Sequence, residues 1–260
     1  MKWNYNFLTQ YYIMSNIKFK LGLRRSSTDP RDYDYKLKVP MNVKLPQQHE
    51  TIPRAIYNQG NIGSCSCMAI GNQIMALKNY DDNNYPSRLF QYYNSRLIEG
   101  NVEDDSGCTY RAAYKCLAKF GFLEPEELWE YDTTKFKDKP PEELYNKTNK
   151  TLIKKYQSLI PSIYAIEYAI SQNKIVTFGT IIYDNFNDYD KTDFIIKYPQ
   201  GGQLGGHAMA IIGYDHNKKL FKIVNSWGPE WGDNGCAFMH YDHVIDEKYS
   251  FDFWTISKDE

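Results

Sequence analysis

Residues 58–69 read Asn-Gln-Gly-Asn-Ile-Gly-Ser-Cys-Ser-Cys-Met-Ala, with Cys65 and Cys67 one residue apart behind a glutamine, glycines and a serine. Such a pair can be a metal clip, a disulfide or a nucleophile. A structural zinc needs about four ligands in characteristic pairs, and no second CxxC or HxxxH completes this one. His240 and His243 near Cys236 form the other cluster, which reads as surface or packed residues, so no metal is expected. A Cys65–Cys67 disulfide is poor geometry at the start of a helix. That start is visible in residues 66–78, SCMAIGNQIMALK, which place Met68, Ile70, Ile74, Met75 and Leu77 at mostly helical intervals. A thiol at a helix N-terminus faces unpaired amides and the positive end of the dipole, which lower its pKa and favour thiolate. The nucleophile reading remains.

Outward from this helix, SRLFQYYNSRLIEG and TYRAAYKCLAKFG predict two more helices, closed by Gly100 and Gly121, and SIYAIEYAISQN a fourth. Residues 135–150 are charged and contain Pro140-Pro141, as expected of a surface loop with one short helix. The texture then changes. KIVTFGTIIY, HAMAIIGYD, LFKIVNSWG and GCAFMHY are β-branched or aromatic runs separated by turn residues, which predict strands. Helices followed by antiparallel strands argue for an α+β protein with two subdomains and a functional cleft between them.

A thiolate works as a nucleophile when a histidine manages its proton and a third group fixes the imidazole. The strand-rich half supplies both. Gly205-Gly206-His207-Ala208-Met209 puts His207 at the start of an apolar run, and Val224-Asn225-Ser226-Trp227-Gly228 puts Asn225 at a strand end beside an aromatic cover.

These pieces together resemble the papain-like cysteine peptidases, the family of papain and the cathepsins. The matching residues are Gln59-Gly60-x-x-Gly63-Ser64-Cys65, Gly206-His207-Ala208 with Ile212-Gly213-Tyr214, and Asn225-Ser226-Trp227-Gly228-x-x-Trp231-Gly232-x-Asn234-Gly235. His207 follows Cys65 at the family's separation of about 130–150 residues. The resemblance spans roughly residues 45–245. It implies a helical left subdomain and an antiparallel, barrel-like right subdomain with the active site between them. It also selects the sulfur: the family's oxyanion glutamine stands six positions before its nucleophile, as Gln59 does before Cys65, which leaves Cys67 as a small buried residue.

By the same resemblance the chain is a cysteine endopeptidase working through a thioester acyl-enzyme. Cys65 attacks the scissile carbonyl, His207 protonates the leaving amine, Asn225 orients His207, and Trp227 shields that hydrogen bond. Gln59 and the Cys65 amide form the oxyanion hole. Ser106 and Gly107 take the place of a glycine pair that holds substrate backbone, with Gly206 and Trp227 completing the substrate-binding set and Glu103, Asp104 and Asp105 lining the non-primed side. The family disulfide bracing the nucleophile loop would join the positions of Ile62 and Asp104, so both half-cystines are missing together. The family's aromatic residue after the nucleophile is Ser66. No histidine lies between His49 and His207, which leaves exopeptidase trimming by a histidine-bearing occluding loop unsupported.

The division expected is an N-terminal extension over residues 1–50, propeptide-like in position, and a peptidase domain over 51–260, helical to about 160 and strand-rich over about 161–255. The chain of 260 residues with 42% hydrophobic and 16% aromatic residues supports a large core. Its 31 basic and 32 acidic side chains give a net charge of −1, which excludes the global footprint of a nucleic-acid or membrane-surface binder. The expected partner is a protein or peptide substrate, with no cofactor, no membrane and a monomeric state. Five cysteines, an odd number, and no visible signal core point to a non-secreted chain in a reducing compartment, cytoplasmic or packaged in a particle. Three alternatives stand beside this reading: a catalytically inactive papain-like binding protein, an acyl transferase using an amine in place of water, and a peptidase regulated by a nucleotide or phosphate at Lys18, Lys20, Arg24, Arg25 and Arg31. The extension itself is expected at or near the groove from about Ile17 to Arg31, where its basic residues meet the acidic run and weaken substrate binding.

Overall fold

The structure, a computed structural model, describes residues 19–27, 29, 39–40, 43–53, 55–78 and 84–258. Its centre is helix α1 (Cys65–Leu77), the helix predicted from the CxC stretch, beginning at Cys65 itself. Residues Cys65 to Met75 are all buried, so α1 is packed on every face and its stability comes from tertiary contacts. Helices α2 (Arg88–Ile98) and α3 (Tyr110–Phe120) flank it. The Ser87 side chain accepts from Phe90 N and the Thr109 side chain from Ala112 N, as N-cap chemistry requires. Gly121 ends α3 at φ 76°, a conformation that favours glycine. The charged loop contains short α4 (Glu142–Tyr145).

The second half is a seven-stranded antiparallel sheet. With strands β2 (Gln48–Glu50), β4 (Lys155–Leu159), β5 (Val176–Tyr183), β6 (Gln203–Asp215), β7 (Leu220–Val224), β8 (Cys236–His240) and β9 (Ser250–Ser257), the order is β4-β9-β5-β6-β7-β8, and β2 pairs β6. Helix α5 (Ile163–Ser171) lies between β4 and β5 in sequence, and short α6 (Tyr241–Ile245) follows β8. β6 is the spine. It pairs with β5 over most of its length and, on its other edge, with β7 from Ala210 to Asp215, with an irregularity between Ile211 and Gly213.

Two cores result. One joins α1–α3 to the sheet through Ile70, Ile74, Tyr114, Ala210, Ile212 and Trp254. The other lies within the strand-rich half around Phe178, Met209, Phe221 and Trp231. Between them Gln73 Nε2 donates to Ile175 O and Trp254 O, while Tyr114 OH donates to Gln73 Oε1 and meets Thr177 Oγ1, so the buried Gln73 amide is satisfied by the sheet and α3.

Three differences from the sequence expectation concern strands. Lys155–Leu159 and Ser250–Ser257 pair with each other and were not predicted, because their polar positions weaken the alternation. Gln48–Glu50 belongs to the sheet, so the segment before residue 51 is not wholly an extension. Strand β1 (Leu23–Arg24) pairs in parallel with β3 (Cys108–Thr109), at the cleft. Among the described residues no helix is long and apolar enough to cross a membrane.

Candidate active site

Three elements carry the predicted residues: His207 and Asn225 meet directly, and Cys65 meets the backbone of Ala208, next to His207. Cys65 opens α1, His207 lies in β6 opposite Thr180, and Asn225 directly follows β7, whose Val224 is paired with Ala210 of β6. His207 Nε2 is 2.7 Å from Asn225 Oδ1. That same oxygen accepts from Ser226 N at 2.7 Å, which identifies it as the acceptor facing the imidazole. Nε2 therefore carries the proton, and Nδ1 is buried without a hydrogen-bond partner on the protein. The Trp227 ring lies 4.9 Å from the His207 ring and covers it; both residues are buried.

Gln59 is fully buried and clamped. Its Oε1 accepts from Ser226 Oγ at 2.7 Å, which turns Nε2 the other way, toward Ile62 O at 2.9 Å and Lys20 O at 2.8 Å. The loop between Gln59 and Cys65 lacks the disulfide that the resemblance implies, and all five cysteines are free. Other bonds brace it. Gly63 N donates to Asp105 Oδ1 at 2.9 Å, one residue along from each missing half-cystine, and Tyr92 OH donates to the same oxygen. Tyr131 OH donates to Gln59 O at 2.9 Å and meets Ser64 Oγ at 2.6 Å, while Arg88 lies over the Tyr131 ring. Tyr92 and Tyr131 are the site residues that sequence reasoning missed, while Asp105, expected only as one acid of the run lining the non-primed side, and Ser226, quoted only within its motif, have bracing roles the sequence did not show. Their signal is spatial, since Tyr131 sits in a distant loop and Asp105 reads in sequence as one acid in a run.

The cleft is occupied by the chain's own residues Phe19–Ser27, here called the strap. Phe19 stacks on Trp227 with ring centroids 4.7 Å apart. Beside it the Lys20 carbonyl accepts from Gln59. The Gly22 amide hydrogen-bonds Cys65, and Gly22 O accepts from Cys108 N at 3.0 Å. Leu23 is buried over Gly179 and Phe251, and its carbonyl lies against Gly206. Arg24 pairs with Glu99, Ser26 N donates to Asp252 Oδ2 at 2.7 Å, and Arg111 holds Ser27 O. Glycines make this approach possible: a Cβ on Gly107 would sit 1.7 Å from Gly22 O, and one on Gly206 2.3 Å from Leu23 O.

The strap corrects one expectation. Instead of a low-pKa thiolate, Cys65 has a thiol that burial pushes up to about 11, outweighing hydrogen bonds from the Ala208 and Gly22 backbone that pull it down. Burial likewise pushes His207 down to about 4, against the raising effect of Asn225. With the strap in place both groups are neutral at pH 7.

The remaining predicted positions fall as follows. Ser106 turns its hydroxyl to Gly107 O at 3.1 Å, and it is Gly107 that meets the strap. Cys67 is buried in α1, and Ser66 in place of an aromatic residue hydrogen-bonds Cys108 Sγ at 2.9 Å. Of the acidic run only Asp105 pairs with the strap, through Lys20 at 2.7 Å; Glu103 and Asp104 are exposed, and Arg24 finds Glu99 instead. Lys20 and Arg24, two of the cations considered for a phosphate, are thus paired with carboxylates, and Lys18 and Arg31 lie outside the described residues. His243 is buried and stacked on Tyr198, and no metal-binding cluster occurs among the described residues.

The papain family cysteine protease model matches residues 39–250, and the chain belongs to that family. It is 32% identical to a peptidase C1-like protein of Acanthamoeba polyphaga mimivirus, over 94% of this chain and 88% of that protein. Among solved structures it is similar to xylellain, a cysteine protease from Xylella fastidiosa, at a TM-score of 0.83 and 29% identity, covering 94% of this chain and 97% of that one. Procathepsin B from Trypanosoma congolense shares the fold at a TM-score of 0.69 and 14% identity, covering 95% and 89%.

Proposed function

We propose that this cysteine-type peptidase is an endopeptidase using Cys65, His207 and Asn225, held closed by its own strap. The observation that carries the reading is the Gln59 side chain, fixed by Ser226 and donating to the Lys20 carbonyl of a strap whose Gly22 amide hydrogen-bonds Cys65. A cleft that binds one stretch of peptide backbone through its oxyanion donor is shaped to bind another.

When the strap leaves, water reaches Cys65 and His207, and the cost of charging them falls. The proton passes from Cys65 to His207 Nδ1. The thiolate attacks the scissile carbonyl carbon, and the developing oxyanion accepts from Gln59 Nε2 and the Cys65 amide. His207 returns its proton to the leaving amine as the C–N bond breaks, leaving a thioester on Cys65. Water, deprotonated by His207, then attacks the thioester and frees the acid and the thiol.

The direction of the strap supports inhibition over cleavage. It runs from Trp227, on the side where His207 serves the leaving amine, toward the Gly107–Cys108 wall, the acyl side by resemblance. A substrate runs the other way, because its acyl residue precedes its leaving amine in the chain, whereas the strap reaches the wall last, where β1 pairs with β3. The strap fills the channel without offering a peptide bond in productive geometry.

The test is turnover of a fluorogenic peptide library by the full chain under reductant, beside Cys65→Ala, with an epoxysuccinyl label mapped by mass spectrometry. Hydrolysis lost in Cys65→Ala, with the adduct on Cys65, is expected. No turnover and no adduct on Cys65 would favour a binding protein, and amide products formed only with an added amine would favour acyl transfer.

A further inference from the structure

We infer that Asp105 makes this peptidase selective for lysine or arginine at the residue whose carbonyl is attacked. The inference rests on the endopeptidase reading above and deepens it to a substrate class.

In any acyl transfer the residue bearing the attacked carbonyl places that oxygen in the oxyanion hole, and its side chain occupies the adjoining subsite. Lys20 is the residue whose carbonyl oxygen accepts from Gln59 Nε2 at 2.8 Å, and its ammonium lies 2.7 Å from Asp105 Oδ2. The strap runs backwards, so its Cα lies on the other side of that carbonyl from a substrate's. What carries over is the position of the carboxylate, within the reach of one lysine side chain from the oxyanion hole.

That position is built. Asp105 Oδ1 is engaged by Gly63 N, two residues before the nucleophile, and by Tyr92 OH, which also accepts from Gly107 N at 3.2 Å. The carboxylate is thereby fixed between the oxyanion loop and the wall, with Oδ2 turned to the Lys20 ammonium. With the strap seated on it the Asp105 side chain is only 10% exposed, and a carboxylate covered in this way and pre-oriented discriminates a cation from a neutral side chain far better than a surface acid does. Exposed Glu103 and Asp104 alongside add negative potential of the same sign. The strap uses this subsite with a lysine of its own, as an inhibitory segment matched to the enzyme's preference would.

The experiment uses the full chain under reductant and peptides identical except at the residue before the cleaved bond, with Lys, Arg, Gln or Leu there. The kcat/KM ratio of Lys or Arg over Gln is expected to be about tenfold or more, and to fall to near one in Asp105→Asn. Asparagine keeps an oxygen for Gly63 N and removes only the charge. Because the ratio is taken within each variant, any change in strap occupancy or in the amount of folded protein cancels. A wild-type ratio near one, or a ratio that survives in Asp105→Asn, overturns the inference while labelled Cys65 and hydrolysis of all four peptides leave the peptidase reading intact. No hydrolysis and no labelling of Cys65 would overturn both.

Discussion

Gly22→Ala should activate the enzyme. A Cβ at Gly22 would lie 2.3 Å from Gly63 O and 2.4 Å from Gly63 Cα, far inside contact distance. Gly63 is backbone, and its loop is tied down by Asp105 and Tyr131, so the added methyl has no flexible neighbour to push aside. Overfilling a tight site costs about 1–3 kcal/mol, which disfavours the closed strap by roughly 5- to 150-fold. A strap that competes with substrate multiplies KM by one plus its closing constant and leaves kcat alone. KM for a fluorogenic peptide should therefore fall by about an order of magnitude or more with kcat unchanged, and alkylation of Cys65 should speed up in parallel. The assay is Michaelis kinetics of wild type and variant under the same reductant. An unchanged or raised KM in a variant that melts like wild type would refute the occlusion argument.

For a peptide with a neutral residue before the cleaved bond, raising salt should lower the wild-type KM, because it screens the half-exposed partners in the Lys20–Asp105 and Arg24–Glu99 pairs, while Gly22→Ala should respond less. Gln59→Ala should reduce kcat by about 10²- to 10³-fold, the usual effect of losing an oxyanion donor, read in the Gly22→Ala background so that strap occupancy does not mask it. His207 and His243 are both pushed down to about 4 by burial, so between pH 6.5 and 4 the unfolded chain binds protons that the folded one refuses. Their contribution to stability therefore falls as pH drops through that window, by up to about 1.4 kcal/mol per pH unit for each, and a calorimetric melting temperature that rose from pH 6.5 to 4.5 would contradict it. Thiol titration after denaturation without reductant should find all five cysteines free; three or fewer would mean a native disulfide.

The family and the candidate site residues were legible in the sequence because they are carried by short local patterns. Six positions from Gln59 to Cys65 and the apolar spacing after it place a thiol at a helix start, and the glycine-flanked His207 and the Asn225-Ser226-Trp227 run announce themselves in the same way. The helices followed for a similar reason: the apolar periodicity and the Ser87 and Gly121 boundaries are nearest-neighbour physics, satisfied within one element. The polar strands β4 and β9 were not legible, since each is specified mainly by the other's backbone. Only the tertiary structure decided the state of the site. Residues 19–27 are expected near the groove only from their basic charge; they have no periodicity to fix a path, and their place is set by Gln59, Gly107, Cys108, Gly206 and Trp227, which arrive from four separate stretches of chain. Burial under that strap reverses the expected ionisation of Cys65, because desolvation depends on everything packed around the sulfur and the helix-terminus effect only on its own backbone. Asp105 is the same lesson in one residue: an acid in a charged run by sequence, and by position a carboxylate shared between the nucleophile loop and the lysine of the strap.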